Sequence, residues 1–362
     1  MFYHLLYPLK DLHPVFNVFR YITFRAAGAS VTAFLMCILL GPWVIRFLKK
    51  MSALAHTERE YAESIHAFYA HKKNVPTMGG VLIIASLVSS TLLWANWRVP
   101  SIWILLFIVV WFGSVGFFED WNKLRHKNSK GISSLMKLSG QLVAGVALGL
   151  WLYLNPSFDK MIYFPFLKHW TLYIGAFFIP FVVLVLVGTS NALNLTDGLD
   201  GLAIGCMLFV AGAFAVLCYV VGRVDYAYYL QMVYIPEAAE LTVFCAALVG
   251  ASAGFLWYNS YPAEVMMGDT GSLSLGGALG AIAILTKKEL VLLIIGGVFV
   301  WEALSVILQV ASFRLFKRRI FLMSPFHHHL QLRGWPESKV TVRLWIISFI
   351  LALVGLSTLK LR

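Results

Sequence analysis

The sequence predicts an all-α polytopic membrane protein of about ten transmembrane helices, on the strength of three observations. Of its 362 residues, 60% are hydrophobic and 13% are charged, whereas a soluble domain carries roughly 25% charge. The apolar residues are gathered in long runs, and a spanning helix needs about 20 of them. The basic residues are grouped between those runs. These features predict a single integral membrane domain, 1–362, in which loops join the helices.

Ten apolar runs are predicted as spanning helices. They are 22–48, 77–96, 101–118, 134–154, 171–193, 201–221, 240–257, 271–286, 290–313 and 341–360. The eighth run is short and rich in glycine, and we expect its glycines to permit close helix packing. The four cysteines lie inside apolar runs and none has a CxxC spacing. We therefore expect them to be small buried packing residues, without disulfides or zinc.

The distribution of lysine and arginine predicts the orientation. Fifteen of these residues, among them Lys72 and Lys123, fall in one set of alternate loops, and six fall in the opposite set. Because cytoplasmic loops carry the excess of positive charge, we expect the first set in the cytoplasm and both termini in the periplasm. Basic residues near the two termini run against this rule. The net charge of +12 fits anionic lipid headgroups, and we expect no nucleic-acid partner.

Acidic residues gather at the predicted cytoplasmic ends of the helices. Glu119 and Asp120 follow the third run, Asp197 and Asp200 follow the fifth, and Asp269 precedes the eighth. Carboxylates at a membrane boundary are costly unless they are paired, hydrated or bound to a metal. Any one of them could be a solvated helix end, but five at one depth indicate convergence on a cation. Hard oxygen ligands near phosphate favour Mg²⁺.

The segment NALNLTDGLDG, 191–201, is the richest in polar side chains. A helical turn would place Asn194 and Asp197 on one face. Asp200 lies near the start of the next helix, where it could instead cap backbone N–H groups. Gly198 permits a tight turn and the close approach of a ligand.

The segment 259–272 is predicted as a loop that enters a helix N-terminus. Gly268 and Gly271 flank Asp269, and hydroxyl side chains follow. A helix N-terminus favours a phosphate or a metal–phosphate pair. The GxxxxGK[ST] pattern of a P-loop is absent from the sequence.

Two further segments carry acidic or basic side chains suited to phosphate chemistry. Glu119 and Asp120, followed by Lys123, suit metal binding or general-base catalysis, although a lone acidic pair is more often a solvated loop. Lys72, just before the second run, could reach a phosphate or serve only as a positive-inside anchor.

Three histidines and one glutamate stand out in the C-terminal part of the sequence. His327, His328 and His329 are consecutive, and three consecutive side chains rarely share one face, which argues against a zinc site built from this run alone. Histidine can instead donate to phosphate oxygens or relay a proton. Glu302 lies inside the ninth run, where a buried carboxylate should face a partner or a cavity, and we expect a structural pairing.

Together these motifs resemble the MraY family, the phospho-N-acetylmuramoyl-pentapeptide transferases of bacterial cell-wall synthesis. The resemblance covers almost the whole chain. It rests on PTMGG (76–80), NALNLTDGLDG (191–201), NSYPAEVMMGDTGSLSLGG (259–277) and SPFHHHLQLRGWPE (324–337). The acidic motifs are shared with the wider superfamily of polyprenyl-phosphate sugar-1-phosphate transferases, whereas the triple histidine points to the muramoyl branch.

The resemblance implies an enzyme that transfers phospho-MurNAc-pentapeptide from UDP-MurNAc-pentapeptide to undecaprenyl phosphate, giving lipid I and UMP. It also implies a bacterial inner-membrane location, a cytoplasmic active site, and Mg²⁺ as the cofactor with Asp269 as its ligand. The catalytic residues that it implies are Glu119, Asp120, Asp269 and His327. The substrate-binding residues that it implies are Lys72, Asn194, Asp197, Gly198, Leu199, Asp200, Asn259, Met266 and His328.

Two positions depart from the family pattern. Glu119 and Asp120 stand where the family usually has two aspartates, which leaves open which of them acts as the base. Met266 stands where the family often has an aromatic side chain suited to stacking on uracil, and methionine stacks less specifically.

Several alternatives stay open at this point. A sister transferase would use UDP-GlcNAc, and the reaction could pass through an aspartyl-phosphate. A transporter for an anionic solute would place its polar residues near the bilayer midplane, so acidic motifs at one edge favour an enzyme. A non-catalytic membrane scaffold is a third reading. The sequence leaves open whether the chain forms a homodimer.

Overall fold

The protein is described here by a computed structural model, which covers residues 1–51, 75–126, 131–167 and 170–360. Its helices are α1 (Phe2–Leu6), α2 (Ile22–Lys50), α3 (Gly80–Trp94), α4 (Pro100–His126), α5 (Ser134–Leu154), α6 (Phe178–Thr196), α7 (Leu202–Val221), α8 (Val224–Tyr229), α9 (Ala238–Asn259), α10 (Gly268–Leu285), α11 (Glu289–Ile295), α12 (Gly297–Phe316), α13 (Phe326–Leu332) and α14 (Glu337–Ser357). Among the described residues, nine of these helices are long and apolar enough to cross a membrane. An all-α polytopic membrane protein is confirmed, whereas the side on which the termini lie stays a prediction.

The second predicted span is shorter than expected. Helix α3 has 15 residues, a length of about 22 Å, against a hydrocarbon core of about 30 Å. The backbone just before it is bonded to a distant loop: the N–H of Met266 donates to the carbonyl of Pro76 (2.8 Å), and the N–H of Gly79 donates to the carbonyl of Met266 (2.9 Å). Met78, between Pro76 and Gly79, has a φ of 71°. These bonds delay the start of the helix to Gly80.

Three further boundaries differ from the prediction. The fifth span was expected from 171, but strands β1 (Met161–Tyr163) and β2 (Thr171–Tyr173) form an antiparallel hairpin there. The ninth span is interrupted between α11 and α12 at Gly296. The third span continues past 118 to His126, so that Glu119 and Asp120 stand on a helix and not in a loop. Apolar runs locate helices well, but polar residues that extend a helix lie outside the run.

Helix α10 is the most enclosed of the long helices, with 89% of its 18-residue apolar stretch buried. It packs against α3, α4 and α6. A Cβ on Gly276 would lie 2.5 Å from the Cα of Ser190 on α6, and a Cβ on Gly277 would lie 2.8 Å from the ring of Phe112 on α4. The prediction that glycines permit close packing of this helix is confirmed.

Helix α9 packs against α2 and α7, and α14 also packs against α7. Near the start of α9, Glu240 forms a buried ion pair with Arg25 of α2, and Arg25 Nη2 lies 2.9 Å from Glu240 Oε2. All four cysteines are free and buried, which confirms their prediction as packing residues.

The turn between α10 and α11 holds a buried acid and a buried base. Glu289 and Lys287 are each 4% exposed, and the Lys287 ammonium lies 4.1 Å and 4.7 Å from the ring centres of Phe158 and Phe178. Burial raises the pKa of Glu289 to about 7 and lowers the pKa of Lys287. Both shifts disfavour the charged form in the folded protein.

Replacing Glu289 by glutamine should therefore change how stability depends on pH. Because its folded pKa is raised, wild-type Glu289 holds a proton that the unfolded chain has lost, so its contribution to stability falls as pH rises from about 4.5 to about 7. Glu289→Gln should remove that fall, measured by thermal unfolding in detergent at pH 5 and pH 7.5. The exposed Glu264 is the control, and Glu264→Gln should keep the wild-type dependence. An unaltered pH dependence in Glu289→Gln would contradict this prediction.

Candidate active site

Asp120 anchors α4 to the first turn of α10. Its carboxylate accepts hydrogen bonds from the backbone N–H groups of Asp269 (3.2 Å) and Thr270 (2.9 Å) and from the hydroxyl of Thr270 (2.7 Å). These N–H groups belong to the set that a helix start leaves without intrahelical partners. A negative charge is also favourable at that end of the helix dipole. Asp120 thus holds the N-terminus of α10 in place.

Glu119, one residue earlier, faces two lysines. Lys123 Nζ lies 3.2 Å from Glu119 Oε1, and Lys137 Nζ, from the first turn of α5, lies 2.8 Å from Glu119 Oε2. Both ammonium groups also reach Asp269: Lys123 donates to its Oδ2, and Lys137 Nζ lies 3.5 Å from its Oδ1. The two lysines bridge the two carboxylates.

Asn194 brings α6 into the same cluster. Its side-chain amide donates to Asp269 Oδ1 and to the hydroxyl of Ser272, at 2.8 Å from the latter. The Ser272 hydroxyl in turn donates to the carbonyl of Gly268 (3.0 Å). Of the five carboxylates predicted to converge, Glu119, Asp120 and Asp269 lie together with Asn194, whereas the Asp200 carboxylate bonds instead to the N–H of Ala263 in the loop before α10. We call Glu119, Asp120, Lys123, Lys137, Asn194 and Asp269 the carboxylate cluster.

The helices that carry this cluster cross at glycines. A Cβ on Gly116 of α4 would lie 2.2 Å from the carbonyl oxygen of Asp269. A Cβ on Gly80 of α3 would lie 2.1 Å from the backbone nitrogen of Gly271. Only glycine lets these backbones approach so closely, and the approach places Asp120 within reach of the first turn of α10.

A second group of polar residues surrounds the turn between α6 and α7. Asp200 is fully buried; its Oδ2 accepts from the N–H of Ala263 (3.0 Å), and its own N–H donates to Glu337 Oε1 (2.7 Å). Asn259 Oδ1 accepts from the N–H of Gly201 (3.1 Å), and its amide donates to the carbonyl of Val265 (2.8 Å).

These bonds correct one expectation. Helix capping is an alternative role that the sequence offers for Asp200. Helix α7 instead begins after Gly201, whose φ is 71°, and none of the described side chains caps it. The Asp200 carboxylate instead faces the loop before α10, which no local pattern in the sequence indicates. That Asp200 and Asn259 bind substrate stays a prediction.

The three histidines lie on α13 with three different partners. His327 Nδ1 lies 3.2 Å from Glu302 Oε2 of α12, and His328 Nδ1 lies 2.9 Å from Gln331 Oε1. His329 Nδ1 accepts from the N–H of Leu322 (3.1 Å). The expected pairing of Glu302 is thus found, and its partner is His327. His327 also contacts the 197–201 turn, because a Cβ on Gly198 would lie 2.3 Å from its Nε2.

The remaining predicted residues are placed as follows. Leu199 is buried, whereas Asp197 and Met266 are half-buried. Lys72 lies outside the described residues. Lys137 was not singled out from the sequence; the available signal was a lysine one turn inside an apolar run, where a charge is expensive and usually functional.

The oxygen atoms of the carboxylate cluster fit a hard cation bound together with phosphate. Mg²⁺ is usually held by one or two carboxylates plus phosphate oxygens and water. In this cluster Asp269 and Glu119 each contact the ammonium groups of two lysines. Among the described residues, no three His, Cys, Asp or Glu side chains converge as a metal cage. Mg²⁺ at this cluster therefore stays a prediction, for which the residues present offer the carboxylates of Asp269 and Glu119, both paired with lysines in this structure.

Comparison with known proteins gives full-length similarities. The profile of glycosyl transferase family 4 matches residues 102–287, and signature 1 of the phospho-N-acetylmuramoyl-pentapeptide-transferases matches residues 72–84. A protein of that name from Geobacter sp. (strain M21) is 51% identical over 362 residues, covering 100% of both chains. Those from Pelobacter propionicus and Desulfotalea psychrophila are 51% and 50% identical, again with 100% coverage of both chains.

Proposed function

The chain belongs to the phospho-N-acetylmuramoyl-pentapeptide-transferase family, and on that premise we propose that it makes lipid I for peptidoglycan synthesis. Phospho-MurNAc-pentapeptide passes from UDP-MurNAc-pentapeptide to undecaprenyl phosphate, and UMP is released. The protein crosses the membrane many times, and the membrane proposed is the bacterial inner membrane, with the carboxylate cluster on the cytoplasmic side. Both substrates carry phosphate, and one of them is a lipid.

The observation that carries this proposal is the meeting of carboxylates and ammonium groups at the start of α10. Lys123 and Lys137 are each held against Glu119 and Asp269, so their charges are positioned before a phosphate arrives. Positioned cations are the main contribution that proteins make to phosphoryl transfer. Asp269 would hold Mg²⁺, and the bound ion would neutralise charge on the pyrophosphate.

The proposed reaction is a single displacement. An oxygen of the acceptor phosphate forms a bond to the β-phosphorus of the nucleotide, the bond from that phosphorus to the bridging oxygen breaks, and UMP leaves with the bridging oxygen. Lys123 and Lys137 would orient the two phosphates toward each other. Trapping of a covalent phospho-enzyme would overturn this route in favour of a two-step one.

The geometry suggests different roles for the two members of the acidic pair. Glu119 faces the lysines, where an acceptor phosphate would be held, and its carboxylate could take the proton of that phosphate. The Asp120 carboxylate accepts three hydrogen bonds from Asp269 and Thr270. We propose Glu119 as the base and Asp120 as the residue that positions α10.

Isosteric replacements should separate these two roles. Glu119→Gln should lower kcat by about 100-fold, the scale of a lost general base, while thermal stability changes little. Asp120→Asn should lower the melting temperature as well as the activity, because a buried carboxylate with three donors is replaced by an amide. UMP release and thermal unfolding in detergent measure the two effects. The reverse pattern, with a destabilised Glu119→Gln and a stable Asp120→Asn, would exchange the roles.

The choice of donor is tested by direct assay. Purified protein with undecaprenyl phosphate and Mg²⁺ should release UMP from UDP-MurNAc-pentapeptide and form a lipid-linked product. Release from UDP-GlcNAc alone would favour the sister transferase. Release from neither nucleotide sugar would contradict the proposed enzyme class.

A further inference from the structure

Glu302 is a carboxylate inside a membrane helix, and within the described part of the chain its side chain has one polar partner. It lies on α12, and both Glu302 and His327 are 0% exposed. Its Oε2 accepts from the backbone N–H of His327 (3.3 Å) and lies 3.2 Å from Nδ1 of the same residue. Among the described residues, the carboxylate has no other hydrogen bond. A buried charge within the membrane is expensive and usually serves a function, and here everything it bonds to belongs to His327.

This contact determines where the imidazole carries its proton. Glu302 Oε2 accepts a hydrogen bond from the backbone N–H of His327, and a carboxylate group acting as an acceptor takes its second hydrogen bond from a protonated nitrogen. We therefore assign the ring proton to Nδ1, which contacts the same oxygen. In the neutral ring the lone pair then lies on Nε2, as in other sites where a carboxylate fixes the tautomer and the orientation of a histidine.

The opposite nitrogen of the ring faces the turn between α6 and α7. His327 Nε2 is buried and has no hydrogen-bond partner among the described residues. It lies so close to Gly198 that a Cβ there would come within 2.3 Å of it. Asn194, four residues before Gly198, donates to Asp269, so the turn that His327 contacts is continuous with the carboxylate cluster.

We propose that Glu302 is a positioning residue for the transferase reaction: it holds His327 as the Nδ1–H tautomer and aims Nε2 at the donor nucleotide sugar beside Gly198. This inference rests on the proposed function. Because Gly198 has no side chain, Nε2 lies directly against the turn, and no side chain at position 198 would separate it from a substrate bound there. Without Glu302 the ring can take either tautomer and rotate, so productive encounters become rarer while the fold persists.

The test is a double-mutant cycle with Glu302→Gln and His327→Gln, measured as kcat/KM for UDP-MurNAc-pentapeptide. Glu302→Gln should lower this value by about 10- to 100-fold, the usual effect of losing a carboxylate that orients a histidine. The double variant should be no less active than His327→Gln alone, because Glu302 acts through that ring. If the two losses multiply, the proposal is wrong and Glu302 has a structural role only.

A matched control is Glu240→Gln, which also alters a buried carboxylate, the one paired with Arg25. Glu240 lies 19 residues before the end of α9 at Asn259, which is about 28 Å along the helix. The fold-loss in kcat/KM caused by Glu240→Gln should therefore multiply with the loss caused by His327→Gln. If Glu302→Gln does not fold, Glu302→Asp takes its place in the cycle, since it keeps the charge and shortens the side chain by one methylene.

A spectroscopic readout separates positioning from structural support. Nitrogen-15 shifts of labelled histidines, assigned by His327→Gln, should show the Nδ1–H form for His327 in the wild type and a mixture of forms in Glu302→Gln. A pure Nδ1–H form in both proteins would overturn the proposal. If the wild type releases UMP but the losses caused by Glu302→Gln and His327→Gln multiply in the double variant, only this inference is rejected. If the wild type releases no UMP, the proposed function is rejected.

Discussion

Replacing Asp269 by asparagine should reduce UMP release by about 1,000-fold or more, at the upper end of the losses caused by removing one charge-stabilising group. In the folded protein its carboxylate receives Lys123, Lys137 and Asn194 and is the proposed ligand of Mg²⁺. An amide keeps the shape but loses the charge that positions both lysines. The loss should appear in kcat, measured over a range of Mg²⁺ concentrations with both substrates saturating.

The control for this substitution is Asp225→Asn. The Asp225 side chain is 82% exposed, and its carboxylate lies 3.6 Å from Arg223. The Asp225→Asn variant should therefore release UMP at the wild-type rate. If Asp269→Asn kept more than about a tenth of the wild-type kcat, a loss far smaller than such groups cause, Asp269 would be excluded as the centre of the chemistry.

Replacing Gly116 by alanine should damage both stability and activity. The added Cβ would lie 2.2 Å from the carbonyl oxygen and 2.5 Å from the carbonyl carbon of Asp269, and backbone atoms cannot move aside as a flexible side chain can. Overpacking of this kind costs about 1–3 kcal/mol. Because α4 must shift away from α10, Asp120 should lose its hydrogen bonds to the first turn of α10, and kcat should fall by at least about 10-fold.

Gly188→Ala offers a matched control on a neighbouring helix. Gly188 lies in α6, and a Cβ there would have no atom of the described segments within 4 Å. Its stability should be unchanged or should rise by up to about 1 kcal/mol, the difference in helix propensity between alanine and glycine. Thermal unfolding and UMP release should be compared for both variants. Equal behaviour of Gly116→Ala and Gly188→Ala would show that the crossing of α4 and α10 tolerates a methyl group.

Helix positions were largely predictable from the sequence, and helix ends were not. The length and apolarity of the runs located the nine helices of the described residues that are long enough to span a membrane, and also the shorter α3. The glycine-rich run became the enclosed α10. The errors lie where polar or extended segments adjoin a run: α4 continues through Glu119 and Asp120, and α6 starts only after the β1–β2 hairpin. Hydrophobicity reports where the membrane core is crossed, whereas hydrogen bonds to distant segments decide where a helix begins and ends.

The candidate site was predictable as a set of motifs but not as a set of contacts. Asn194 and Asp269 were singled out from their segments, and they meet. Lys137 was missed because a lysine in the first turn of an apolar run resembles an ordinary membrane anchor. The partner of Glu302 was unpredictable, since His327 is 25 residues away and α13 follows a loop without a periodic pattern.

By itself, therefore, the sequence determined that this protein crosses a membrane many times, where its helices lie, and which motifs carry acidic, amide and histidine side chains. Only the tertiary structure decided that Asp120 bonds to the first turn of α10 while Glu119 faces Lys123 and Lys137. The physical reason is rotational. Adjacent residues on a helix point about 100° apart, and the crossing of α4 on α10 at Gly116, set by backbone contact, selects which of the two carboxylates faces the lysines.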